Sequence, residues 1–162
     1  MPNTAAARRP PESPSVDPMA AVRTRADALY RAAVECCRQH DRAARLSAHT
    51  DDPDVEQDHV EAICHMCDSS LTTLADAYTE AAKALHPERE EAWWHRANAL
   101  WHASREFARR HAGGDDVSRK LSGRHSAGQL GAVQLEYELE ASSLLALRHA
   151  ADAYRKTRPD LA

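Results

Sequence analysis

The chain has few of the residues from which β-sheets and tight turns are built. Of its 162 residues only five are glycine, and aromatic residues make up 5%. A sheet protein needs glycine at its turns and aromatic or β-branched runs in its strands. Alanine, leucine, glutamate and arginine, which favour helices, make up almost half of the sequence instead. The composition therefore predicts an all-α protein.

The chain also lacks an excess of positive charge and a long apolar run. Its formal net charge is −4, so it does not have the overall basic surface of nucleic-acid-binding proteins, and we expect no such partner. It has no run of about 18 apolar residues, which a transmembrane helix would need, and no secretory signal. We therefore expect a cytoplasmic protein without a membrane partner, in which cysteines are thiols or ligands.

Proline and aspartate mark where order begins. Residues 1–16 contain four prolines among polar residues and alanines, and this composition predicts a disordered tail. Asp17-Pro18 and Asp52-Pro53 then repeat one helix-start signal, an aspartate cap followed by proline at the first helical position. Gly113-Gly114 is a stop signal. The predicted helices are 17–46, 53–85, 87–112 and 129–156.

Four amphipathic segments joined by short connections favour one antiparallel up-down-up-down four-helix bundle over 17–158. The alternative is a pair of helical hairpins that completes its bundle by dimerising. Apolar residues at alternating steps of three and four define the inward faces. The first helix presents Val22, Ala26, Leu29, Ala33, Cys36, His40 and Ala43. The fourth presents Leu130, Val133, Tyr137, Ala141, Leu144, Leu145, Ala151 and Tyr154.

All four cysteines lie on the first two predicted helices. In an antiparallel hairpin these thiols fall, with two histidines, into a band about two helical turns tall. His111 is expected near the same end of the bundle. Thiolates and imidazoles are the ligands that Zn²⁺ and Cu(I) select. The predicted ligand set for Zn or Cu is Cys36, Cys37, His40, His59, Cys64 and Cys67.

Two other interpretations of the cysteines stay open. Free cysteine behaves as a small apolar side chain, so these residues can simply fill the core. A thiol-redox role is the other alternative. Zinc motifs of the C-x-x-C type form a tight knuckle, and Cys64 to Cys67 lie instead in the middle of a predicted helix.

The third helix carries two Trp-His pairs followed by arginines. Trp93 and Trp101 are expected in the core, with Trp94 exposed at the bundle edge, where tryptophan and arginine can form a binding hot spot. The sequence favours a non-enzymatic interaction or regulatory bundle that binds a protein partner or self-associates. The predicted partner surface is Trp94, Trp101, Arg105, Arg109 and Arg110.

Motifs for catalysis are missing. The chain has no P-loop, no G-x-S-x-G and no H-E-x-x-H. Glu56 and His59 form one E-x-x-H, but a di-iron bundle needs two such motifs and further glutamates. We therefore predict no catalytic residues, and the alternative to an interaction protein is the Cys/His metal or thiol-redox bundle.

Overall fold

Four long helices make up the part of the chain that this computed structural model describes, residues 17–49, 53–85, 91–120 and 127–161. They contain no strand, which confirms the all-α prediction. The predicted tail, residues 1–16, lies outside the described residues, as do the side chains of the second helix before Cys67. The helices are α1 (Pro18–Ser47), α2 (Pro53–Ala82), α3 (Ala92–Lys120) and α4 (Ala127–Arg155).

The start of α1 follows from its capping residue. Asp17 Oδ1 accepts a hydrogen bond from the Met19 backbone N–H at 3.0 Å, and the Asp17 carbonyl accepts one from Ala21 at 3.0 Å. Pro18 has no N–H to satisfy, which suits the first helical position. The Asp-Pro signal thus predicts this boundary correctly.

Two predicted helix ends differ from the structure. The second helix ends at Ala82, and residues 83–85 tighten into a turn in which Leu85 N–H donates to Ala82 at 3.0 Å. The third helix does not stop at Gly113-Gly114 but continues to Lys120. Glycine inside a helix costs only about 1 kcal/mol relative to alanine, so a long helix can continue through such a pair.

The helices pack in sequence order around one core. Contacts join α1 to α2, α2 to α3, α3 to α4 and α4 back to α1, and α1 also meets α3 across the bundle. Two hydrogen bonds join the last part of one helix to the first part of another, which indicates an antiparallel order. Tyr78 of α2 donates to Asn98 of α3 at 2.7 Å, and Tyr154 of α4 donates to Asp27 of α1 at 2.7 Å. One chain therefore supplies all four helices of the bundle.

The inward face predicted for the first helix is confirmed, with Val22, Ala26, Leu29, Ala33 and Cys36 buried. Leu71 of α2 and Leu100 and Phe107 of α3 are fully buried against it in the same core. No described helix is long and apolar enough to cross a bilayer.

The inward face predicted for α4 is wrong at several positions. Leu130, Tyr137 and Leu145 are more than half exposed. The side that faces the bundle carries Glu136 and Glu140 instead, which lie 3.9 Å from Arg110 and 3.6 Å from His111. Charged and polar partners on α3 therefore decide which face of this segment turns inward. Further along α4 the core positions are Leu147, Ala151 and Tyr154.

Candidate metal centre

Two cysteines and one histidine meet where α1 packs on α2. Cys36 and His40 share one face of α1 because residues four apart lie on the same side of a helix, and Cys67 faces them from α2. One ligand atom from each of the three residues lies within 4.8 Å of the others. Cys36 is 1% exposed and Cys67 7% exposed, so the sulfur atoms belong to the core.

The distances between these three ligand atoms are close to the distances between the ligand atoms around a bound metal ion. With Zn–S near 2.3 Å and Zn–N near 2.0–2.1 Å, tetrahedral geometry separates two ligand atoms by roughly 3.5–3.8 Å. The ligand atoms of Cys36, His40 and Cys67, which lie within 4.8 Å of one another, therefore need to approach by at most about 1.3 Å. Rotation of a side chain about its own bonds moves its ligand atom that far without moving the backbone.

The imidazole of His40 carries an unsatisfied nitrogen. Its Nε2 is buried and has no hydrogen-bond partner among the described residues. A buried polar atom without a partner costs about 1–3 kcal/mol. The edge of the ring meets Phe107, with centroids 5.2 Å apart, so this neighbour offers carbon atoms rather than an acceptor. A metal ion would supply the missing interaction.

A second histidine lies beside the first. His111 on α3 is 3% exposed, and its ring centroid is 5.5 Å from that of His40, with the rings nearly perpendicular. His111 Nε2 is 3.6 Å from Glu140 Oε1 on α4. The prediction that His111 lies near this end is confirmed. Its signal in the sequence is the step of four from Phe107, which continues the buried face of α3.

Cys37 lies beside the cluster but is not one of its three members. Adjacent residues on a helix point about 100° apart. Arg148 Nη2 of α4 donates to the Cys37 carbonyl at 3.5 Å, and the Cys37 thiol interacts electrostatically with Arg148 and with Cys67. Burial raises the pKa of its thiol to about 11, although Arg148 acts in the opposite direction. Cys37 is thus a buried thiol outside the group of three ligand atoms, and its predicted role as a ligand stays a prediction.

Two other predicted ligands, His59 and Cys64, lie on α2 ahead of Cys67, where side chains are outside the described part of the structure. The same holds for Glu56 of the E-x-x-H motif. Their predicted roles stay predictions.

The surface position expected for Trp94 is wrong. Trp94 is 6% exposed and packs against Tyr78 and Trp93, with ring centroids 6.3 and 5.9 Å away. Such a large apolar ring is more stable between α2 and α3 than in water. Trp101 is partly buried, and the Arg105 guanidinium lies over its ring, 5.7 Å from the ring centroid.

The arginines of the predicted partner surface already have carboxylate partners. Arg105 bonds Asp76 of α2 at 2.8 Å, and both Arg109 and Arg110 bond Glu106 at 2.8 Å. Hydrogen bonds from Arg109 and then Arg110 lower the pKa of Glu106 to about 2. A groove of about 620 Å³ is lined by Trp101, Arg105 and Arg109. Both arginines are already paired with carboxylates of the bundle.

Comparisons with family models, with curated proteins and with solved structures find no significant match to this chain.

Proposed function

We propose that this protein is a metal-binding four-helix bundle that holds one Zn²⁺ or Cu(I) ion between α1 and α2. The observation that carries the proposal is the convergence of Cys36, His40 and Cys67 to within 4.8 Å in the core. Two thiolates and an imidazole form a soft to borderline donor set, which suits these two ions and disfavours Mg²⁺ or Ca²⁺.

The burial of the ligands favours a structural metal site over a catalytic one. Catalytic zinc keeps an open position for water or substrate, whereas Cys36 and Cys67 lie within the hydrophobic core. An ion at this point would join α1 to α2 and, through His40, approach α3. The function proposed is therefore non-enzymatic, with the ion as a structural or regulatory element.

A titration with metal tests the proposal. The reduced, untagged protein is titrated with Zn²⁺ against a chromophoric chelator, beside Cys36→Ser, Cys67→Ser and Cys37→Ser. The wild type should bind one equivalent, and the first two variants should lose at least ~100-fold in affinity because each lacks a thiolate ligand. Cys37→Ser is the matched control, since it removes a neighbouring buried thiol that lies outside the cluster.

Two results would oppose this function. If wild type and all three variants bind equally weakly, the cysteines only fill the core. If wild type binds no metal and its thiols oxidise reversibly to a disulfide under a mild oxidant, the thiol-redox alternative is correct. Repeating the titration with Cu(I) under anaerobic conditions shows which ion is preferred.

A second function, self-association through α4, is favoured by a separate observation. Leu130, Tyr137 and Leu145 are 55%, 54% and 53% exposed, and steps of seven and eight place them on one side of the helix. Apolar residues gathered on an exposed face are typical of protein interfaces. We expect light scattering to give a dimer that Tyr137→Glu converts to monomer. Ala146→Glu is the control, because Ala146 is exposed on the opposite side of the same helix from Tyr137, and this variant should remain a dimer.

A further inference from the structure

We infer that His111 is the fourth ligand of this metal and that Glu140 orients its ring, so that the complete site is Cys₂His₂ and draws on all four helices. The inference rests on the proposed function, because it concerns the same ion. It adds a ligand from α3 and a supporting carboxylate from α4, and it selects Zn²⁺ over Cu(I).

The position of His111 supports this assignment. Its ring stands edge-on to that of His40 at 5.5 Å, and it is 3% exposed. A ligand set of three protein atoms leaves one tetrahedral position, which water fills in open sites. Next to Cys36 and Cys67, which are also buried, a protein side chain is the nearer candidate, and His111 is the imidazole beside His40. His111 is not among the three residues whose ligand atoms lie within 4.8 Å of one another, so its ring has to move toward them when the ion binds.

The carboxylate of Glu140 distinguishes the two nitrogens of His111. Its Oε1 lies 3.6 Å from Nε2 of His111, somewhat longer than a hydrogen bond. Histidines that bind metals commonly donate their other ring N–H to a carboxylate, which fixes the tautomer and the ring orientation. In the metal-bound protein Nε2–H would donate to Glu140, and Nδ1 of His111 would bind the ion.

The second imidazole decides which ion is preferred. Cys₂His₂ with tetrahedral geometry is one of the standard donor sets of structural zinc sites. The site then joins α1, α2 and α3 directly and α4 through Glu140, so the ion stabilises the packing of the whole bundle. We expect Zn²⁺ to be bound in preference to Cu(I).

Co²⁺ serves as a spectroscopic probe for this geometry. The wild-type protein should give the intense visible bands of tetrahedral cobalt with charge transfer from two thiolates. His111→Gln should weaken these bands and lower Zn²⁺ affinity by ~10–100-fold or more, and Glu140→Gln should lower affinity by about 10-fold. His95→Gln changes an exposed histidine on the same helix and is the control. His111→Cys should keep tetrahedral bands and gain a third thiolate transition, which separates loss of a ligand from loss of folding.

The outcomes separate the two proposals. If Cys36→Ser abolishes binding while His111→Gln and His111→Cys leave the spectrum and affinity unchanged, the metal function stands and the role of His111 is overturned. A wild-type spectrum with three thiolates that loses one in Cys64→Ser would replace His111 by that cysteine and also overturn it. If Cys36→Ser has no effect either, the proposed function itself fails.

Discussion

His40 on α1 and His111 on α3 meet edge to face inside the bundle, with ring centroids 5.5 Å apart and an interplanar angle of 83°. Buried imidazoles usually have partners for both nitrogens. His40 Nε2 has none among the described residues, while the thiols of Cys36 and Cys67 lie nearby. A metal ion bound at His40 Nε2 would give this buried nitrogen a partner.

Metal binding should stabilise the folded chain. A ligand that binds only the folded state adds about 2.7 kcal/mol at a free concentration 100 times its Kd. When chelator is replaced by buffered Zn²⁺, we expect the urea midpoint of the reduced protein to rise and its free energy of unfolding to increase by that amount. Cys36→Ser should show no such shift. An equal shift in that variant would mean that Zn²⁺ acts elsewhere on the chain.

Stability should depend on pH through the Cys37 thiol. Burial raises its pKa from 9.0 to about 11, so the folded chain holds this proton more tightly than the unfolded chain does. The contribution of Cys37 is therefore fully present below about pH 9 and is lost as pH rises from about 9 to about 11.

The comparison of wild type with Cys37→Ala isolates the contribution of the Cys37 thiol to the free energy of unfolding. Urea unfolding of the two proteins in chelator should give a stability difference that is constant up to about pH 8.5 and then narrows toward pH 11. Comparing the two proteins cancels the titration of Tyr78 and Tyr154, whose pKa values are also raised by burial. A difference that widens with pH would contradict the assigned direction.

Asp27 of α1 binds two residues from the last part of the chain, Tyr154 and Arg158. Asp27 accepts hydrogen bonds from Tyr154 at 2.7 Å and from Arg158 at 2.7 and 2.8 Å. Both charged side chains are less than 15% exposed. Asp27→Ala should destabilise the protein by about 1–3 kcal/mol, since it leaves the Tyr154 hydroxyl without its acceptor. Arg158 loses its two hydrogen bonds to Asp27 but keeps those to Asp160 at 3.1 and 2.7 Å. Glu80→Ala, which breaks an exposed pair with Lys83, should cost no more than about 0.5 kcal/mol.

Local signals made much of the fold predictable. The Asp17-Pro18 start is encoded in a few adjacent residues, and the buried faces of α1 and α3 follow from apolar spacing alone. The features that failed depend on neighbouring helices. Helix α3 passes through Gly113-Gly114, and α4 turns Glu140 inward because His111 faces it, against the apolar pattern of its own sequence.

The candidate site, like the fold, was predictable where it depends on spacing along the helices and not where it depends on packing between them. The register of a helical hairpin predicts that the four cysteines, His40 and His59 share one band about two turns tall, and the structure brings Cys36 and His40 of that set together with Cys67. The register could not separate Cys36 from Cys37, because that choice depends on the rotation of α1 toward α2 or α4. The contact between His40 and His111 depends on packing across the bundle, which spacing within one helix does not specify.

The most direct test of the central claim is elemental analysis of untagged protein purified under reducing conditions without chelator, beside the Cys36→Ser/Cys67→Ser double variant. We expect about one zinc per chain in the wild type and none in the double variant, with far-UV circular dichroism showing that both remain helical. A wild-type protein that is free of metal, and that takes up no Zn²⁺ when it is supplied, would contradict the proposal and identify the cluster as core packing.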